Sequence, residues 1–306
     1  MKKAIFIKSE ILKKFPFLEK EDLNEIIEEL LNSYISLVQL SKDFSYAKKG
    51  EKKLIEKFRD LTLFNFFDSF FLVIACDSNA GIGLKLDDYV RKDFFSVGRS
   101  AVKVALMEVF ASGAFPLIII DTLGVEMDPA GKEIIRGIKY EVEKAGIDPS
   151  LALTGSTEDN MKTLQTCIGV TVIGLAKKDS LKLGKSQPGD IVVAVGIPKS
   201  APLKPYTEDD LDIASVQTVQ TLVKMDFIHE ILPVGSKGIS YEAKLLAETI
   251  NNTIKFIGPA PLDLNFSAGT STCVLVSLNE KFISVLKEKI KPKPINIIGY
   301  LSKKTT

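Results

Sequence analysis

The chain has 306 residues, of which 45% are hydrophobic and 26% charged: the composition of an ordinary globular protein, and a length at which two domains are expected. Its formal net charge is only +1, so no basic field exists to hold a polyanion, and the balance argues against nucleic-acid binding. Cys76, Cys167 and Cys273 have no CxxC spacing and are odd in number, which suits packed thiols in a reducing cytoplasm; no apolar run reaches the roughly 18 to 20 residues of a membrane span.

The opening MKKAIFIKSEILKKF has no sustained apolar core and no small-residue cleavage site, and is not read as a signal peptide. Residues 1–60 are rich in lysine and glutamate. Leu23, Ile26, Ile27, Leu30 and Leu31 fall at helical spacing, so the segment reads as an N-terminal helical elaboration. From residue 70 short apolar runs alternate with helical patterns. FFLVIACD is followed by a helix over 96–112, PLIIIDTLG, a helix over 129–145, LALTG and CIGVTVIGLA. This alternation predicts an α/β (α+β) fold. The polar stretch AKKDSLKLGKSQPG, 176–189, reads as a linker between a first domain, 61–178, and a second, 188–306. In the second, Asp190 opens the strand DIVVAVG. Helices over 208–228 and 239–251, the strand TCVLVSL, a helix over 279–290 and a last strand INIIGYL follow.

Two phosphate-binding signatures fail. LGKS at 183–186 ends like a P-loop, but Asp179 stands where the first glycine is needed. Gly81-Ile82-Gly83 lacks the third glycine of the dinucleotide fingerprint. His229 is the single histidine, which excludes a multi-histidine zinc site.

The carboxylates are more informative. Asp77 and Asp121 each follow an apolar run, where α/β sheets bind ligands. Behind Asp77 comes a small loop with Ser78, Gly81 and Gly83. On the helix SVGRSAVKVALMEVFAS, Val102, Ala105, Leu106 and Val109 make the core stripe, and Glu108 falls on a small, apolar flank. In GVEMDPAG, Asp128 fits an N-cap before Pro129, whereas Glu126 has no such role. The loop Thr154, Gly155, Ser156, Thr157, Glu158, Asp159, Asn160 is dense in hydroxyls, backbone NH groups and acids. Alone, each element also fits a plainer role: a turn-capping Asp, a solvated Glu108, a hydrophilic turn. Together they fit a Mg-nucleotide site, because Mg²⁺ takes hard oxygen ligands and needs only one or two carboxylates per ion.

The order CDSNAGIG, RSAVKVALMEVFASGAFPL, GVEMDPAGKEIIRGI, LTGSTEDN and QTCIGVTVIG resembles the aminoimidazole ribonucleotide synthetase superfamily. That group includes thiamine-monophosphate kinase, selenophosphate synthetase and the hydrogenase-maturation dehydratase. LPVGSKGI at 232–239 and SAGTSTCVLVS at 267–277 bring it nearest to α-ribazole kinase, of cobalamin lower-ligand salvage. The likeness runs from about Arg59 to Gly299. It implies two α/β domains, a homodimer formed through strands of the first, ATP and Mg²⁺ near that interface, and a second domain over a small-molecule acceptor. It implies Asp77 and Glu108 as catalytic and metal-binding carboxylates; Asp121 and Glu126 stay further metal candidates from their places in the sequence alone. Ser78, Gly81, Gly83, Thr154, Gly155, Ser156, Thr157, Glu158 and Asn160 would hold the nucleotide; Lys237, Ser267 and Gly269 would face the acceptor. Two positions depart from thiamine-monophosphate kinase. Ser156 replaces the Asp of its GGDT loop, and Lys237 replaces the Asp of its SDG. The expected activity is phosphorylation of the ribose 5′-hydroxyl of α-ribazole. Another ATP-dependent reaction of the superfamily, as a thiamine-monophosphate kinase or by synthetase or dehydratase chemistry through a phosphorylated intermediate, and a non-enzymatic ATP-binding scaffold are the alternatives. No cysteine precedes Cys76, so the selenophosphate reaction lacks its reactive residue.

Overall fold

The computed structural model describes residues 31, 35, 55–66, 69–259 and 262–304. Contacts divide the chain into one unit of Met1–Leu54 with Phe66–Asp68, and another of Ile55–Asn65 with Ser69–Thr306. In the first, Leu31 and Ile35 are helical and exposed; the rest of the predicted helical elaboration lies outside the described residues, and its last part, Ile55–Phe58, is a strand.

The larger unit begins with β1 (Ile55–Phe58), β2 (Leu61–Phe66), β3 (Phe70–Ala80), the short β4 (Ile82–Gly83) and β5 (Val90–Arg91), and α1 (Phe94–Ala111). β6 (Phe115–Leu123), α2 (Lys132–Lys144), a single turn α3 (Pro149–Ala152), β7 (Leu153–Thr157) and β8 (Cys167–Lys177) complete the first half. The second half holds β9 (Ile191–Gly196), α4 (Val216–Val223), β10 (Ile228–Pro233), α5 (Gly238–Thr249), β11 (Asn252–Phe256), β12 (Cys273–Leu278), α6 (Ile283–Lys289) and β13 (Ile295–Lys303). One sheet has the order β1-β2-β3-β8-β6-β7, the other β10-β12-β9-β13-β11. Among the described residues no helix is long and apolar enough to cross a membrane.

α1 lies in the core that both halves share. Val97, Val102, Ala105, Leu106, Met107 and Val109 are fully buried, in one cluster with Val73 and Val172 of the first sheet and Val193 and Val276 of the second. β9 and β12 are buried at every position, because α5 covers the face of the second sheet that this cluster does not. β3 and β8 behave differently. Their burial alternates, so the apolar residues of one face pack on α1 while those of the other are half-exposed.

Several boundaries differ from the sequence expectation. β3 does not stop at Asp77; β8 pairs with it without a break as far as Ala80. Asp121 likewise lies inside β6. Asp128 does not cap a helix. As the residue before Pro129 it is extended (φ −113°, ψ 122°), its carboxylate pairs with Lys132, and α2 starts only at Lys132. The predicted helix over 208–228 shrinks to α4, which is started by a Ser215–Thr218 capping box, and Ile228 already belongs to β10.

Candidate active site

The register of the first sheet gathers three of the sequence motifs on one line. Asp77 of β3 pairs with Val170, Val170 with Asp121 of β6, and Asp121 with Gly155 of β7. Paired residues share a face, and this face looks toward the helices. The next row, Ser78, Gly169, Thr122 and Ser156, lies on the opposite face. The sheet therefore separates Ser78 and Ser156 from Asp77. The carboxylate of Asp121 leans over the edge strand: a Cβ on Gly155 would lie 2.2 Å from Asp121 Oδ1, so only glycine fits there. Two strand spacings put Asp77 and Asp121 about 10 Å apart along the row. Asp121 leans toward β7, on the side of β6 away from β3 and Asp77. Burial pushes both carboxyls up to about 6, with Lys139 pulling Asp121 back.

Asp77 is instead grouped with Glu108. The latter points from α1 into a cleft walled by Phe58, Asp60, Leu61, Leu183, Ile231 and Pro233. Glu108 Oε2 is buried and has no hydrogen-bond partner among the described residues. Burial, then the charges of Asp60, Asp77 and Glu242, push this carboxyl up to about 8. Glu242 of α5 is itself buried and is pushed to about 7 by desolvation and by Asp60. The charges of three acids, from the β1–β2 turn, β3 and α5, thus bear on Glu108, and of these Asp60 lines the same cleft. Lys237 stands at their edge. It is exposed, with its ammonium 4.2 Å from the centre of the Tyr241 ring and its charge felt by Glu242.

The glycine loop is more closed than its composition suggests. Gly81 donates its NH to Thr166 O (2.9 Å), and Asp88 accepts from Lys85 N, Thr166 N and Thr166 Oγ1 at 2.7–2.8 Å. A Cβ on Gly83 would lie 2.2 Å from Thr166 Oγ1, so this glycine serves the clasp between loop and β8. Glu126 is the counter-ion of Lys85, at 2.5 Å, and that lysine also reaches Thr163 O. Far from gathering with Asp77, Glu126 ties the glycine loop to the turn after β6.

The acidic loop is similarly self-bonded. Glu158 Oε1 accepts from Asn160 N and Asp159 Oδ1 from Met127 N, while Thr154 is exposed on the edge strand and Thr157 half-buried at its end. In the second half Ser267 Oγ accepts from Gly269 N (3.1 Å). Thr270, next in the chain, bonds the hydroxyl of Tyr206. Among the described residues no group of three or more His, Cys, Asp or Glu is arranged to hold a metal ion.

Residues 65–176 match the family model described as AIR synthase related protein, N-terminal domain. This AIR synthase-related segment runs from β2 to the end of β8 and so contains Asp77, Glu108, Asp121 and Gly155. No curated protein matches the chain. Solved structures do, at low identity. The HypE–HypF complex gives a TM-score of 0.62 at 16% identity, covering 86% of this chain and 93% of that one. Thiamine-monophosphate kinase from Stenotrophomonas maltophilia K279a gives 0.58 at 16%, with the same coverage. AaThiL complexed with AMPPCP and TMP gives 0.55 at 16%, covering 88% of this chain and 90% of that one. Over the 86–88% of the chain that they cover, the fold is that of these proteins.

Asp60 and Glu242 escaped the sequence reading, and so did Lys85. Glu242 lies five residues beyond Lys237, one helical turn into α5, and Asp60 occupies a tight turn. Neither sits in a motif, and only the packing of β1–β2 beside α5 brings them together.

Proposed function

We propose that the protein is a Mg-ATP-dependent kinase of a small molecule, with residues 61–178 as nucleotide-binding and dimerisation domain and 188–306 over the acceptor. The observation that carries this is the buried Glu108 carboxylate, which shares its cleft with Asp60 and feels the charges of Asp77 and Glu242. The carboxyls of Glu108 and Glu242, pushed upward by burial and by neighbouring acids, the first with an orphaned buried oxygen, are matched by a divalent cation with hard-oxygen preference. Asp77 and Glu108 would hold that ion. When bound, Mg²⁺ neutralises phosphate oxygens and the charge that develops during transfer. The chain itself contributes position and exclusion of water: Phe58, Leu61 and Ile231 wall the cleft, and Lys237 lies at its edge. Phosphoryl transfer depends mainly on such positioning and electrostatics. HypE in complex with ATP and AaThiL with AMPPCP, both of this fold, support the nucleotide assignment.

The acceptor in this reading is α-ribazole, phosphorylated at its ribose 5′-hydroxyl. LTGSTEDN, LPVGSKGI and SAGTSTCV support it, together with a lysine at 237 where thiamine-monophosphate kinase carries an aspartate. A protonated lysine ligates no Mg²⁺, and a neutral nucleoside needs less metal at the acceptor end than an anionic phosphate ester does. A homodimer is part of the proposal. The outer face of the first sheet exposes Phe115 (54%), Leu117 (45%) and Ile118 (44%), beside half-buried Leu72, Ile74, Ile173 and Leu175, an apolar surface suited to a second copy. Free Cys76, Cys167 and Cys273 suit a cytoplasmic setting. Release of ADP from Mg-ATP, measured with and without α-ribazole, tests the activity: acceptor-dependent release supports a kinase, and equal release in both arms contradicts it.

A further inference from the structure

On another face of α1 lies a second buried group of charges. Arg99 is fully engaged: it grips Asp209 through two bonds of 2.7 and 2.8 Å and Glu141 through one of 2.6 Å. One turn on, Lys103 is only 2% exposed, and its Nζ lies 3.0 Å from Glu208 Oε2. Lys92, from the segment leading into α1, approaches Glu208 Oε1 at 3.5 Å. Unlike Arg99, this group is poorly bonded. Among the described residues, Lys103 Nζ has no aligned acceptor and neither oxygen of Glu208 has an aligned donor. Coulomb attraction alone rarely offsets the desolvation of a buried pair; hydrogen bonds to the remaining lone pairs and protons are needed.

The surroundings hold more donors than acceptors. Besides Glu208, Lys92 meets Ser100 Oγ, at 3.4 Å, and that hydroxyl is already turned to Ser96 O and Val97 O. The ring of Tyr206 lies 5.2 Å from Lys92 Nζ and 6.0 Å from Lys103 Nζ, and its hydroxyl bonds Thr270. The charge of Lys293 reaches Lys103, and that of Asp93, held in its cap on Ser96, reaches Lys92. Within 3.5 Å two ammonium groups share one carboxylate. The missing partner for such a set is an oxyanion with several acceptor lone pairs. Lys92, with 18% of its side chain exposed, marks the open side.

We infer that Lys92 and Lys103, beside Tyr206, form a subsite for a phosphate-type oxyanion, with Glu208 as their intramolecular counter-ion. The subsite lies between Asp77 of β3 and the 267–270 turn, since Tyr206 feels the charge of Asp77 while bonding Thr270. Its place in catalysis rests on the phosphotransferase reading, in which it takes phosphate oxygens of the nucleotide or of the phosphorylated product.

The test is binding without turnover. Orthophosphate is titrated into the full-length protein by calorimetry at constant ionic strength, and ADP in a parallel arm. The wild type is expected to bind orthophosphate, and Lys92→Met and Lys103→Met to weaken it roughly ten- to a hundredfold, as loss of a charge-assisted bond does. Lys103→Arg, which keeps the charge and adds aligned donors, retains binding and serves if Lys103→Met fails to fold. Glu208→Gln removes the competing carboxylate and tightens binding. The exposed Lys287→Met leaves it unchanged. ADP affinity that depends on the same lysines assigns the subsite to the nucleotide; orthophosphate affinity alone assigns it to the product side. No orthophosphate binding in the wild type, or binding indifferent to Lys92→Met, overturns the inference, as does a folded Lys103→Met that binds like the wild type. Because no ATP is consumed, a subsite that passes while acceptor-dependent ADP release fails leaves the inference standing without the kinase, and the reverse outcome removes the subsite alone.

Discussion

Glu108→Gln should make the protein more stable at pH 8 and leave it nearly unchanged at pH 5. In the fold the Glu108 carboxyl titrates near 8 instead of its ordinary 4.5, because it is buried among Asp60, Asp77 and Glu242. A raised acid binds its proton more tightly in the folded than in the unfolded state. The native state thus loses stability as pH climbs from about 4.5, and the loss is complete above about 8. At roughly 1.4 kcal/mol per tenfold change in proton affinity, the bound is roughly 5 kcal/mol. Glutamine keeps the shape, carries no charge and removes this cost. The assay is urea denaturation of wild type and variant at pH 5 and pH 8, in EDTA and in Mg²⁺. In EDTA the variant gains a higher midpoint at pH 8 only. Mg²⁺ raises the midpoint of the wild type at pH 8 and does so less for the variant. A variant equally destabilised at both pH values would refute the reasoning, since it would show Glu108 to be a bonded structural residue.

Asp77→Asn removes the other proposed ligand and is expected to lower Mg-dependent ATP turnover roughly 10- to 100-fold with an unchanged circular dichroism spectrum; near-normal turnover counts against the assignment. Gly155→Ala sets a Cβ 2.2 Å from Asp121 Oδ1 and 2.6 Å from Asp121 O, so a thermal scan should show a loss of about 1–3 kcal/mol, and an unchanged midpoint would mean that β7 shifts freely. Ile118→Lys puts a charge on the apolar outer face of the first sheet, and light scattering should find a dimer for the wild type and a monomer for the variant. A wild-type monomer at micromolar concentration contradicts the proposed assembly.

What was legible in the sequence follows from how local each signal is. The apolar runs of β9 and β12 announce strands buried on both faces, and the stripe Val102, Ala105, Leu106 and Val109 announces α1, because these patterns depend on neighbours a few residues apart. Glu108 stood out for the same reason, a carboxylate on an apolar flank. β10 was hidden by its own content. Glu230, fully buried, interrupts the apolar pattern of IHEILP and is balanced by Arg59, Gly184 and Ser186 from elsewhere in the chain. Asp77 and Asp121 looked like strand ends because a charge usually leaves the core, yet the sheet runs past both. The grouping of Asp60 with Glu242, and of Lys92 and Lys103 with Glu208, is set by how distant segments pack, which no spacing encodes.

Phosphoryl transfer to a neutral nucleoside is tested by the mass of its product. Mg-ATP is offered with α-ribazole and, separately, with thiamine monophosphate, and the products are weighed by mass spectrometry. α-Ribazole 5′-phosphate is expected in the first reaction and no thiamine diphosphate in the second. Thiamine diphosphate without α-ribazole 5′-phosphate would contradict it.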